Sequence, residues 1–99
     1  MEVELDAFSG RPNPRWETTS PLQEKLDSLS EKTKPAPEPG LGYRGFIIHQ
    51  GDKSVRVFSS RVTMERDGKS QTYRDTAGLE AELAKQARQH GYAGIVPDL

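Results

Sequence analysis

Val3, Leu5 and Ala7 alternate with Glu2, Glu4 and Asp6. This period of two predicts a β-strand with one buried face and one charged face. Charged residues usually stay in water, so Glu2, Glu4 and Asp6 are expected to form a solvated strand face. Arg15-Trp16-Glu17-Thr18 is expected to form a short second strand. The period then changes. Leu22, Leu26 and Leu29 fall at i, i+4 and i+7, the stripe of a helix. Ser20 is placed as its N-cap, Pro21 at its first position and Gln23 in a capping box, with an end near Glu31-Lys32. A second stripe, Leu79, Leu83, Ala84 and Ala87, predicts a helix capped by Asp75 or Thr76 and stopped at Gly91. Tyr92, Ile95 and Val96 are expected to fold the tail back onto the core.

Between the helices the period returns to two. A two-residue turn at Gly51-Asp52 pairs Ile48 with Val55 and Phe46 with Val57, so all four share one face. A turn at Asp67-Gly68 pairs Met64 with Gln71 and Val62 with Tyr73. The buried positions switch from odd to even between Val57 and Val62. One extra residue in a continuous strand, or a tight bend, at Ser59-Ser60 accounts for that switch. The fold expected is α+β, an antiparallel sheet of about five strands with two helices packed on one face, in the order β-β-α-β-β-β-α. It is read as a single domain over residues 1–99, with a proline-rich connector at 33–40. Pro35, Pro37 and Pro39 make that connector extended and solvated. Their spacing of two does not fit a PxxP ligand.

Composition narrows the function. Leu, Ile, Val and Phe supply only 19 of 99 residues, so the core is small. The net charge of −1 removes the repulsion that keeps disordered chains open. The absence of cysteine excludes disulfides, thiolate zinc sites and a cysteine nucleophile. The acidic, alternating first residues do not read as a signal peptide, and no apolar run could span a bilayer. A cytoplasmic protein with no membrane association is expected.

The chemistry-bearing motifs are few. Gly40-Leu41-Gly42-Tyr43-Arg44-Gly45 matches GxGxxG, but it lacks a preceding strand and a following helix, so it reads as a glycine-permitted approach to a strand. His49 faces away from the core and His90 ends the second helix. No metal-ligand spacing, catalytic constellation or cofactor motif is present, and neither a metal nor a cofactor is expected. The basic residues of the hairpins, Arg56, Arg61, Arg74, Lys53 and Lys69, are diluted by acids and have only Phe58 beside them. Nucleic acid is therefore not the expected ligand.

Phe8-Ser9-Gly10-Arg11-Pro12-Asn13-Pro14-Arg15-Trp16 is the most distinctive segment. Its prolines stiffen it, and a stiff loop loses little entropy on binding. Arg11, Asn13 and Arg15, with Tyr43 and Arg44 nearby, are the candidate binding residues, since arginine grips carboxylate or phosphate with paired hydrogen bonds. The expected function is a non-enzymatic binding or accessory domain for a protein or peptide partner. The alternative is an enzyme or enzyme subunit with its site at the 9–16 loop. A homodimer is expected as readily as a monomer, because nothing in the sequence covers the sheet edges. Together with Gly42-Tyr43-Arg44-Gly45-Phe46 and Tyr73-Arg74-Asp75, the loop resembles a group of small uncharacterised microbial proteins. That resemblance implies no activity.

Overall fold

In a computed structural model covering Met1–Leu99, six strands and two helices follow one another. They are β1 (Glu2–Leu5), β2 (Arg15–Glu17), α1 (Leu22–Asp27), β3 (Phe46–Gln50), β4 (Lys53–Phe58), β5 (Arg61–Arg66), β6 (Lys69–Arg74) and α2 (Leu79–Gln89). All strand pairs are antiparallel, in the spatial order β2-β1-β3-β4-β5-β6. The α+β class holds, with six strands in place of about five. The extra strand comes from Ser59-Ser60. These residues are not a bulge in a long strand: Phe58 faces Arg61 across a two-residue turn. Both serines have positive φ, 55° and 60°, as a type I′ turn requires. Outside contacts hold this unusual serine pair. Asp75 N–H donates to the Ser60 carbonyl at 3.0 Å, and Ser60 N–H donates to Glu80 Oε1 at 2.9 Å.

The hairpin registers match the alternation. Ile48 faces Val55, Phe46 faces Val57, Val62 faces Tyr73 and Met64 faces Gln71. Their shared face packs with Leu22, Leu26, Leu29, Leu79, Leu83, Ala84 and Ala87 into one core, and Val96 of the tail joins it. No helix is long and apolar enough to cross a membrane.

Helix α1 is shorter than its leucine stripe suggests and starts without a side-chain cap. Ser20 does not form the expected capping box; its Oγ accepts from Gln86 Nε2 at 2.9 Å instead. The competing tertiary bond decides the local geometry. The N-cap position of α2 is Gly78, but Asp75, three residues earlier, satisfies the first amides of the helix: its carboxylate accepts from Leu79 and Glu80 at 2.7 and 2.8 Å.

The connector after α1 has a definite course. Glu31–Thr33 runs antiparallel to β6, with Thr33 N–H donating to the Thr72 carbonyl and Arg74 N–H to the Glu31 carbonyl. Pro35–Pro39 then crosses the sheet face opposite the helices. Gly45, at φ 89°, brings the chain into β3 against Val57 and Phe58. The glycine-rich segment before β3 thus serves a close backbone approach.

Candidate functional site

The polar face of β1 is open to water only at Glu2. Glu4 and, just past the strand, Asp6 are 8% and 9% exposed, which corrects the expectation of a solvated face for these two. The pairing β2-β1-β3-β4 sets Arg15 beside Glu4 on one side, and Ile47 and then Arg56 on the other. Three carboxylates thereby meet three guanidinium groups. Arg15 binds Glu2 at 2.9 Å and Glu4 at 3.1 Å. Arg44 and Arg56 grip opposite oxygens of Asp6 at 3.0 and 2.9 Å. His49 Nε2 donates to Glu4 Oε1 at 2.8 Å, the carboxylate being an acceptor only.

Asn13 ties this cluster to the proline loop. Its Oδ1 accepts from Ala7 N–H and Phe8 N–H, and its Nδ2 donates to Glu4 at 2.8 Å and Asp6 at 3.4 Å. Both functions of the amide are used, so the loop is fixed at its base. Arg44 adds a bond to the Phe8 carbonyl at 3.1 Å. Above this base, Ser9, Gly10, Arg11 and Pro12 are exposed. The Arg11 guanidinium lies 3.9 Å from the centroid of the Phe8 ring, which holds it over an aromatic face.

The five candidate residues therefore separate. Asn13, Arg15 and Arg44 converge on Glu4 and Asp6. Arg11 stands alone at the exposed tip. Tyr43 turns to the helical side, where its hydroxyl donates to Glu80 Oε2 at 2.6 Å. Burial, followed by the bond to Glu80 and its charge, pushes the Tyr43 phenol well above its usual range. Five residues of the cluster were not among the candidates: Glu2, Glu4, Asp6, His49 and Arg56. Their alternation placed them on one face, but only the β1–β3 pairing brings them together.

Glu4 carries the electrostatic consequence. Burial raises its pKa, yet the bonds from Asn13 and His49 and the charge of Arg15 outweigh that, leaving it below the usual carboxylate value. A carboxyl group lowered in the folded state adds stability at pH above its unfolded value, and that stability is lost as pH falls through the folded value. The unfolding free energy should therefore decline as the solution is acidified below about 4.5. Urea unfolding across this range checks it, and Glu4→Gln should flatten the slope.

Next to the cluster, the proline connector roofs an open trough of about 600 Å³, lined by Asp6, Arg44, Arg56, Phe58, Thr63 and Glu65 among others. Its two arginines are already held by Asp6, and Glu38 and Glu65 add negative charge, so it is not an anion trap. No cluster of histidine and carboxylate side chains able to hold a metal ion is present.

No protein-family model matches the chain, and no curated protein or solved structure matches it.

Proposed function

We propose that this protein is a small binding domain that recognises an acidic segment of a protein or peptide partner through the tip of the proline loop. The observation that carries the reading is the division of labour within the loop. Asn13 and Arg44 bond to the protein itself, whereas Ser9–Pro12 is exposed with Arg11 held over Phe8. A pre-ordered tip keeps most of its interaction free energy, because little ordering remains to be done on binding. Exposed Arg11 presents a planar fork of donors suited to a carboxylate.

The test compares two substitutions. Arg11→Glu should leave the melting temperature within a few degrees of wild type, since an exposed side chain contributes about 0.5 kcal/mol or less. It should abolish recovery of partners that wild-type protein retains on a column. Asn13→Ala should cost roughly 2–3 kcal/mol, because bonds to buried charged groups are lost. Unchanged recovery with Arg11→Glu would refute the reading.

A further inference from the structure

The two edges of the sheet differ. At β6, Glu31–Thr33 already bonds to the edge, and Lys69 stands on what remains. At β2 nothing covers the strand. Leu5 N–H donates to the Pro14 carbonyl and Thr18 N–H to the Met1 carbonyl, so the backbone groups of residues 14 and 18 face β1. By the alternation of an antiparallel ladder, those of Trp16 face β1 too, and those of Arg15 and Glu17 point outward. None of the loop, turn or side-chain hydrogen bonds of the molecule reaches these outward groups. The prolines do not block this edge, since the nitrogen of Pro14 faces β1.

We propose that β2 is a homodimer interface, joining two copies of this chain into one continuous sheet through antiparallel pairing about a twofold axis at Trp16. Closed pairs of identical chains are twofold, so the strand must be complementary to itself when reversed. Arg15-Trp16-Glu17 meets that condition. In this register Arg15 lies opposite Glu17 of the partner subunit, and each exchanges its free N–H and C=O with the other. Opposite charges directly across a strand pair stabilise it, and like charges oppose it. Centring the axis on Arg15 or Glu17 would set like charges face to face, so the charges select the register. Both side chains are exposed, at 54% for Arg15 and 73% for Glu17. Within one chain Glu17 sits directly opposite Glu2, a like-charge pair eased by the Met1 ammonium at 2.9 Å from Glu17 and by Arg15 at 2.9 Å from Glu2. The incoming arginine, which also bonds Glu2 and Glu4 of its own chain, adds a second counter-charge on the other side of Glu17. This contact is independent of the proline-loop tip.

Sedimentation of the full chain from micromolar to millimolar concentration tests the interface. The mass should rise from 11.0 kDa toward twice that value. Glu17→Pro deletes an outward N–H while sparing the pairing with β1, and should hold the protein at the lower mass with little change in melting temperature. Arg15→Glu and Glu17→Arg should each be monomeric alone and associate when mixed, because every facing pair is then opposite in charge. A single 11.0 kDa species for wild type throughout would overturn the proposal. So would a dimer that survives Glu17→Pro, or a mixture of the two folded charge variants that stays monomeric.

Discussion

Gly45→Ala is expected to destabilise the fold by roughly 3–5 kcal/mol, combining a left-handed backbone cost with overpacking. A Cβ at this position would collide with the Val57 carbonyl oxygen and lie 2.7 Å from the Phe58 Cβ. The first obstacle is backbone within the central strand β4, and Val57 is wholly buried, so neither can step aside. Gly45 also accepts the Asp6 amide at 3.0 Å, so a shift there loosens the connection between β1 and β3. Gly42 supplies the control. It has nearly the same φ, 90°, but open space around it. Gly42→Ala should cost about 1–2 kcal/mol, the backbone term alone. Urea unfolding of the two variants separates clash from strain, and equal losses would show that packing at Gly45 is unimportant.

Trp16→Ala should cost about 3–5 kcal/mol, in the range of large aromatic truncations. The ring is 8% exposed, meets the Phe46 ring edge-on at 6.4 Å and stacks on His90 at 4.9 Å. Its Nε1–H donates to Gln86 Oε1 at 3.0 Å, while Gln86 Nε2 donates to Ser20 and Glu82. Truncation thus opens a cavity and leaves a buried amide oxygen without its donor. Trp16→Phe keeps an aromatic ring but not the donor, and should lose less, about 1–3 kcal/mol. If both variants unfold at the wild-type denaturant concentration, the link from β2 to α2 does not support the fold.

The local parts of the architecture were legible because a strand and its turn carry their own register. Gly51-Asp52 and Asp67-Gly68 each sit midway between matching apolar positions, and the observed pairs follow. Ser59-Ser60 was harder, since serine does not announce positive φ. Its turn is held by Asp75 and Glu80, whose proximity no local pattern reveals. The site was legible as a set of residue types and not as an arrangement. Arg15, Asn13 and Arg44 were singled out as donors. Their acceptors, Glu4 and Asp6, were read as solvated because a lone strand leaves one face open. Burial came from β2 and β3 on either side of β1 and from Arg44 and Arg56 closing over Asp6. The connector was expected to be extended, but its path across the outer face depends on pairing with β6.

The placement of β1 between β2 and β3 has a consequence for the order in which the molecule assembles. Strands β3 to β6 are joined by two-residue turns, so each hairpin forms from neighbours in sequence. Strand β1 reaches β3 only by closing the whole segment from residue 6 to residue 45. Closure of a long loop is slow relative to local pairing, and its entropy must be met before the new contacts reward it. Before that closure, β1 and β2 can pair only as a two-stranded hairpin, a form only marginally stable in water. Glu4 and Asp6 remain without Arg44 and Arg56 until residues far down the chain have been added. The joining of β1 to β3 should therefore follow formation of the β3–β6 meander.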